Sequence, residues 1–205
     1  MISVIFYIYE FWENHVLNNL RDSLKPTLEK IGKGFASTGL SPNFWTGMGL
    51  AIALTSAIVY GMGIEYGLIL GGILLLVSGF FDMVDGQVAR VTGKTSKKGG
   101  YLDSMFDKIA ETAIFLGILL GGYAEPYLVL LAITLSLLVS YARAKSDSLN
   151  VKLQGVGIGE RAERLLVIAI VGIIGFMDIA VIIVIIIAAI TLIQRMVVTT
   201  KNIRE

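Results

Sequence analysis

The hydrophobic residues of this chain form six long runs separated by short polar breaks. Each run is close to the length that crosses a bilayer as a helix, which is about 20 mostly apolar residues. The predicted spans lie at residues 43–61, 67–90, 100–121, 126–145, 161–177 and 179–198. They share no evident sequence repeat. The pattern therefore predicts an all-α integral membrane protein with six transmembrane helices.

The breaks between the runs contain residues that begin or end helices. Ser41 and Pro42 are typical of an N-cap followed by proline at the first helical position. Gly121 ends the third run and Pro126 opens the fourth. Asp178 separates the fifth run from the sixth, and we expect it to be the N-cap of the last helix.

The segment before the first span has a different composition, with aromatic residues first and lysines later. This mixture is typical of an amphipathic helix that lies in the membrane interface. A short seventh span is disfavoured here because Glu10, Glu13 and Asn14 interrupt the apolar run too early. We expect residues 1–40 to form a juxtamembrane segment and residues 41–205 to form the six-helix domain.

Composition and charge agree with a membrane protein. Hydrophobic residues make up 55% of the chain and charged residues 16%, whereas a soluble domain carries about a quarter charged residues. Lysine and arginine are missing from the loops near 61–66, 121–125 and 175–178. The positive-inside rule then places both termini in the cytoplasm of a multi-pass cell-membrane protein. The net charge of +1 by itself argues neither for nor against nucleic acid, and we expect no nucleic-acid partner.

Four aspartates lie at the predicted cytoplasmic ends of the second and third spans. Asp82 and Asp85 are three residues apart and share one helix face, and Asp103 and Asp107 are four apart on the next helix. Antiparallel neighbours with a short connection can bring all four carboxylates together. Clustered carboxylates repel each other and lose hydration at a membrane, so cations must compensate for their charge.

Several cations can supply this compensation. Lys108 can neutralise one carboxylate and Arg90 another, and one or two divalent ions would supply the rest. The chain has no cysteine, and its single histidine, His15, is far away in sequence, so the ligands are all oxygen. An all-oxygen site favours Mg²⁺, Mn²⁺ or Ca²⁺ over zinc. The spacing alone leaves open a divalent-cation transporter or channel and a metal enzyme at the membrane surface.

Small residues and an arginine beside the aspartates distinguish these two possibilities. Gly86 and Ala89 lie close to the aspartates of the second span, and Gly99 precedes Asp103 by about one turn. Small residues let another helix or a flat ligand approach the backbone. Arg90 suits phosphate because its guanidinium binds phosphate bidentately. A cation channel has no evident need for that arginine, so these residues favour a metal enzyme that handles phosphate.

Eight residues of this region resemble the complete signature of the CDP-alcohol phosphotransferase family. At the family's spacings, the matching residues are Asp82, Asp85, Gly86, Ala89, Arg90, Gly99, Asp103 and Asp107. The resemblance implies that a CDP-linked lipid gives its phosphatidyl or archaetidyl group to the hydroxyl of a small alcohol and that CMP leaves. It also implies six spans, a cytoplasmic active site, membrane lipids as surroundings and a homodimer.

The resemblance also implies roles for individual residues. The four aspartates would hold two Mg²⁺ or Mn²⁺ ions, and Asp107 would also be the general base for the acceptor hydroxyl. Small residues on both helices would let the cytidine lie against them, with Arg90 near the diphosphate. A short element at the first span adds two candidates, one of which, Asn43, fits helix capping equally well. The candidate CDP contacts are Asn43, Thr46, Gly86, Ala89, Arg90 and Gly99.

A second polar group lies near the cytoplasmic ends of the last three spans. Arg143, Arg161 and Arg195 can build a cationic pocket facing the aspartates. A neutral acceptor has no need of three arginines, whereas an alcohol that already bears a phosphate does. We interpret Lys145 and Arg164 as charges that obey the positive-inside rule.

The tracts YARAK and GERAER, at residues 141–145 and 159–164, resemble the inositol-phosphate-using branch of the family. These are the phosphatidylinositol phosphate and archaetidylinositol phosphate synthases. The likeness implies inositol 1-phosphate as the acceptor, with Ser140 beside the three arginines that grip its phosphate. Glycerol 3-phosphate is the alternative acceptor, and a lipid-free reaction of CDP-inositol also stays open. The lipid can be CDP-diacylglycerol or CDP-archaeol.

Overall fold

The computed structural model describes residues 18–153 and 155–203, which form seven α-helices and contain no strand. The helices are α1 (Asn18–Ala36), α2 (Pro42–Gly61), α3 (Gly67–Val91), α4 (Lys97–Leu120), α5 (Pro126–Ser148), α6 (Arg161–Ile173) and α7 (Met177–Asn202). Each of the six predicted apolar runs largely coincides with one of the helices α2 to α7. The aromatic part of the N-terminal segment, in residues 1–17, lies outside the described residues.

Four of these helices, α2, α3, α5 and α7, are long and apolar enough to cross a membrane. Helix α4 has 24 residues but carries several charges in its first half. Helix α6 has only 13 residues, or about 20 Å at 1.5 Å per residue, against a hydrocarbon core of about 30 Å. The chain is therefore an all-helical, multi-pass membrane protein, and α6 ends at Ile173 rather than near residue 177.

The first residues of α2 follow the local sequence, whereas those of α7 do not. The Ser41 hydroxyl accepts a hydrogen bond from the Phe44 amide at 3.2 Å, which confirms the predicted N-cap of α2. The prediction for Asp178 is wrong, because α7 begins at Met177 and its N-cap residue is Phe176. Asp178 lies instead in the first turn, where its negative charge still interacts favourably with the helix dipole.

Helices α2 and α4 approach each other closely through glycine. A Cβ atom on Gly117 would overlap the Ala57 carbonyl, and one on Gly121 would overlap the Tyr60 carbonyl. Large apolar side chains fill the space around this contact, with Tyr60 and Phe115 fully buried. This core anchors the helix ends opposite the aspartates and leaves the other ends free to diverge around a cavity.

Helix α1 packs against the second half of α3, which carries the first two aspartates. Phe35 contacts Trp45 edge-on, with ring centroids 4.9 Å apart, and packs in a small cluster with Val84 and Val88. A Cβ on Gly32 would lie 2.9 Å from the Gln87 Cβ. Close backbone approach at this glycine therefore seats α1 on the motif-bearing helix.

Candidate active site

The aspartates are brought together by a shared neighbour rather than by direct packing of their own helices. Helices α3 and α4 both pack closely on α2, but not closely on each other. Asp82, Asp85 and Asp103 each place one carboxylate oxygen within 4.8 Å of the other two. The predicted convergence of the two helices therefore occurs at the aspartate end, where α3 and α4 flank α2.

Asp107 joins this group through Arg161. One guanidinium nitrogen of Arg161 lies 2.5 Å from the Asp107 carboxylate and 3.2 Å from that of Asp82. The Lys108 ammonium lies 3.9 Å from the other Asp107 oxygen. Arg161 and Lys108 thus supply the positive charge, whereas Arg90 was expected to contribute. Within the described residues Arg90 forms no ion pair with the aspartates, and its Nε donates to the Gly86 carbonyl at 3.1 Å.

The donor set fits a divalent cation. Asp85 is 7% exposed, and its Oδ2 atom is buried without a hydrogen-bond partner among the described residues. The Thr46 hydroxyl lies beside the same carboxyl group. A buried anionic oxygen without a partner is costly and fits a ligand atom that turns toward a cation. Because all donors are oxygen, the site suits Mg²⁺ or Mn²⁺.

The remaining candidate nucleotide residues lie on α2, α3 and α4. Asn43, at the start of α2, faces the start of α4, since its Oδ1 lies 3.4 Å from the position a Cβ on Gly99 would take. The Ser96 hydroxyl caps α4 by accepting from the Gly99 amide at 3.0 Å. Ala89 is half-buried on α3 and Arg90 is exposed at its end. The predicted contacts therefore come from three helices, two of which carry the aspartates.

A cavity of about 600 Å³ opens next to the aspartates. Asp82, Asp103 and Asp107 line one side. Helices α5, α6 and α7 also contribute to the lining, so the four predicted acceptor residues border the same cavity as these aspartates, and Arg161 contacts Asp107 and Asp82 directly. Those four residues are Ser140, Arg143, Arg161 and Arg195.

The three arginines of this wall differ in how far they are free to bind a ligand. Arg143 is 45% exposed in its side chain and lies 3.6 Å from Glu160. Arg195 is 3% exposed, and it donates to the Val139 carbonyl at 2.8 Å and to the Val156 carbonyl at 3.0 Å. Arg195 therefore also joins α5, α7 and the segment before α6, a structural role that the sequence did not indicate.

The sequence reasoning missed a buried ion pair below the cavity. Arg164 Nη2 lies 2.7 Å from Glu111 Oε1, whereas we interpreted Arg164 only as a topological charge. Glu111 follows Asp107 by one helical turn inside a largely apolar helix. An acidic residue at such a position signals a functional or paired group, and that signal was available from the sequence.

Comparisons with known proteins agree with the motif and the fold. A model of the CDP-alcohol phosphatidyltransferase family matches residues 40–200. The archaetidylinositol phosphate synthase of Pyrococcus horikoshii is 37% identical over 188 residues, covering 92% of this chain and 98% of the relative. The enzyme of the same name from Methanothermobacter thermautotrophicus is 37% identical over 153 residues, covering 75% of each chain.

Solved structures show the same fold. The Mycobacterium tuberculosis phosphatidylinositol phosphate synthase with bound CDP-DAG has a TM-score of 0.73 and 24% identity, covering 84% of this chain and 92% of that one. The same enzyme with manganese and citrate has a TM-score of 0.74, covering 84% and 88% of the two chains. The family match and the identities above show that this chain belongs to the CDP-alcohol phosphatidyltransferase family.

Proposed function

We propose that this enzyme transfers the phosphatidyl or archaetidyl group of a CDP-lipid to the hydroxyl of inositol 1-phosphate and releases CMP. The observation that carries the proposal is a cavity whose lining includes three motif aspartates, Asp82, Asp103 and Asp107, together with Arg143, Arg161 and Arg195. A phosphorylated alcohol needs such a cationic wall, since guanidinium groups bind phosphate bidentately. The names of the archaeal relatives support the same acceptor.

The reaction is a phosphoryl transfer in which one bond forms as another breaks. The acceptor oxygen attacks the lipid-bearing phosphorus of the CDP-lipid, and the bond from that phosphorus to the oxygen bridging toward CMP breaks. The departing oxygen and the cytidine stay with CMP. Such transfers depend on in-line positioning and on neutralising charge, more than on covalent help from the protein.

Asp107 is placed to take the proton of the acceptor hydroxyl. Its carboxylate lines the cavity and is 21% exposed, so an acceptor can reach it. A carboxylate within hydrogen-bond reach of the attacking hydroxyl can act as its general base. Arg161, which contacts Asp107, is also positioned to hold the acceptor's phosphate close to that base. Arg143 and Arg195, with Ser140, would complete the phosphate site.

The four aspartates would hold the divalent ions, and we propose two ions, Mg²⁺ or Mn²⁺. When bound, these ions neutralise the diphosphate and stabilise the charge on the leaving CMP. The small and polar residues around the cluster would bind the cytidine and the diphosphate. In this proposal those residues are Asn43, Thr46, Gly86, Ala89, Arg90 and Gly99.

The membrane arrangement follows from charge and from the position of the site. We propose that α2 to α7 are six membrane spans of one domain, residues 41–205. The four most apolar helices would be joined by α4 and α6 as the fifth and sixth spans. Helix α1 would lie in the interface as part of residues 1–40. Both termini and the cavity would face the cytoplasm of the cell membrane, because lysine and arginine gather at that end. We also propose a homodimer, as the family resemblance implies.

An acceptor panel tests this function. Purified protein in detergent, supplied with Mg²⁺ or Mn²⁺, is given CDP-archaeol or CDP-diacylglycerol with inositol 1-phosphate, glycerol 3-phosphate, inositol or serine. CMP release with inositol 1-phosphate is the expected result, and the two lipids show which tail is used. CMP release with glycerol 3-phosphate alone would show that glycerol 3-phosphate, the alternative acceptor, is the substrate. No release with any pair, together with metal flux in proteoliposomes, would instead indicate a divalent-cation transporter.

A further inference from the structure

A buried ion pair lies one helical turn below the catalytic pair of Asp107 and Arg161. Arg164 Nη2 lies 2.7 Å from Glu111 Oε1, and Arg164 Nε donates to the same oxygen at 2.9 Å. The two side chains are 1% and 2% exposed. The second Glu111 oxygen is buried without a hydrogen-bond partner among the described residues. Burying such a pair gives little net stability compared with an apolar pair of similar volume, so its presence points to another role.

The two ion pairs form consecutive layers between the same helices. Glu111 follows Asp107 by four residues on α4, and Arg164 follows Arg161 by three residues on α6. These steps correspond to about 6 Å and 4.5 Å along the two helix axes. The order of the pairs means that α4 and α6 run parallel to each other. The Glu111–Arg164 pair therefore fixes how far α4 and α6 are shifted along their axes relative to each other, and so the alignment of Arg161 with Asp107.

The ion pairs bridge two helices that are not closely packed on each other. Helix α4 packs on α2 and α5, whereas α6 packs on α3 and α7. Residues of both α4 and α6 line the cavity, and Arg164 is one of them. With little backbone contact between α4 and α6, long charged side chains span the gap. The lower pair therefore sets the width of the cavity at its floor.

Arg164 has a third bond that reaches the segment before α6. Its Nη1 donates to the Gly159 carbonyl at 2.7 Å, and the Gly159 amide donates to the Thr191 hydroxyl of α7 at 2.9 Å. Gly159 stands two residues before Arg161 in the chain. One guanidinium thus ties together α4, the start of α6 and, through Gly159, α7.

We infer that Glu111 and Arg164 are positioning residues that hold Arg161 opposite Asp107, and so place the acceptor's phosphate relative to the base. The inference rests on the proposed function, because it concerns the geometry of that acceptor. Neither residue touches the reacting atoms. Their effect is expected in acceptor binding and turnover, and not in the use of the CDP-lipid.

The test is the double variant Glu111→Leu/Arg164→Met, which removes both charges and keeps similar volumes so that the fold survives. We measure kcat and the separate KM values for inositol 1-phosphate and the CDP-lipid, with the melting temperature in detergent. The acceptor KM should rise and kcat should fall, with kcat/KM for the acceptor lower by about 10- to 100-fold, as displacing a reacting group by about 1 Å does. The KM for the CDP-lipid should change less than twofold.

A matched control and a conservative variant complete the experiment. Glu163→Gln removes a charge from the same turn of α6, but Glu163 is exposed, and its kinetics should equal wild type. Arg164→Lys keeps the positive charge but can form fewer hydrogen bonds than arginine. It should keep a larger part of the wild-type acceptor kcat/KM than the double variant does. Calorimetric binding of inositol 1-phosphate should weaken in the double variant, in parallel with its KM.

Each other outcome has a definite meaning. An active wild type with an equally active double variant would overturn the positioning role alone. Equal losses for acceptor and CDP-lipid, or failure of both Arg164 variants to fold while Glu163→Gln folds, would show that the pair only stabilises the protein. A wild type that releases no CMP with any phosphorylated alcohol would contradict the proposed function, and this inference with it.

Discussion

Asp107 lies between two cations, the guanidinium of Arg161 and the ammonium of Lys108. These two cations offset part of the electrostatic cost of a carboxylate at a partly buried position, where an unpaired one would be costly. This placement also leaves the carboxylate reachable from the cavity. Asp107 therefore contacts Arg161 and is also accessible from the cavity, as its proposed role of base requires.

Replacing Asp107 with asparagine should remove the base and leave the shape intact. We expect kcat to fall by about 10²- to 10⁴-fold, the usual contribution of a general base. The melting temperature in detergent should stay close to that of wild type. Asp147→Asn is the control, since Asp147 is an exposed carboxylate of the same cavity, and it should remain active. A fully active Asp107→Asn enzyme would remove this residue from the proton transfer.

Two arginines of the acceptor wall should respond differently to the same substitution. Arg143→Gln should raise the acceptor KM with little change in stability, because Arg143 is exposed. Arg195→Gln should also lower the free energy of unfolding, by about 1–3 kcal/mol, because the Val139 and Val156 carbonyls lose a buried donor. Steady-state kinetics with thermal melts of both variants separate the two effects. Equal melting temperatures would contradict the structural role of Arg195.

For individual residues, the sequence predicted which charged side chains matter but not all of their partners. The aspartate spacing placed four carboxylates on two helix faces, and the structure brings them together. The partner of Arg164 could not be predicted, because Glu111 lies on another helix and spacing reports only neighbours along one helix. The sequence likewise could not show that Arg90 bonds to its own helix, because pairing across helices depends on tertiary geometry.

The helices owe their arrangement to small residues at close contacts. Gly117 lets α4 approach the backbone of α2 at Ala57, whereas Gly79 on α3 has no atom within 4 Å of where its Cβ would lie. Glycine is therefore required at the first position and optional at the second. The contact matters for the site because α2 is the helix on which both aspartate-bearing helices pack.

Alanine at these two glycines should have opposite effects. Gly117→Ala should lower the free energy of unfolding by about 1–3 kcal/mol, because the added methyl group overlaps the Ala57 carbonyl. Gly79→Ala should leave it unchanged or raise it by about 0.5–1 kcal/mol, through helix propensity alone. Thermal melts in one detergent measure both. A Gly117→Ala protein as stable as wild type would mean that α2 and α4 are farther apart than described.

Helix positions were predicted well because apolar runs and capping residues are local signals. Six predicted helices are present, and Ser41 caps α2 as expected. The short length of α6 and the start of α7 before Asp178 were missed. Both errors arise in one continuous apolar stretch, where hydrophobicity does not mark the turn and backbone packing decides where a helix ends.

For the whole molecule, the charge pattern predicts a single orientation in the membrane. Because the chain contains no cysteine, single cysteines can report it directly. Ser148→Cys and Glu65→Cys place exposed thiols at opposite ends of the helices. In intact cells, a membrane-impermeant maleimide should label the second and spare the first, which becomes labelled after lysis. The reverse pattern would contradict a cytoplasmic cavity.

The cavity also belongs to the scale of the whole molecule, since residues from five helices meet around it. Its lining brings three motif aspartates together with four arginines, and the proposed transfer depends on such positioning and on neutralisation of charge. The reaction class was predictable from eight motif positions. The acceptor wall requires three separated segments to meet. The sequence indicated it through arginines near the ends of the last three spans and through the family resemblance.

The most direct test of this account is the stoichiometry of the reaction with inositol 1-phosphate. Wild-type protein with a CDP-lipid and Mg²⁺ or Mn²⁺ is assayed for CMP and, by mass spectrometry, for the lipid product. We predict one CMP for each phosphorylated inositol lipid formed, and no product after chelation of the metal. Failure to form that lipid would contradict the central claim, whether CMP is released with glycerol 3-phosphate instead or is not released at all.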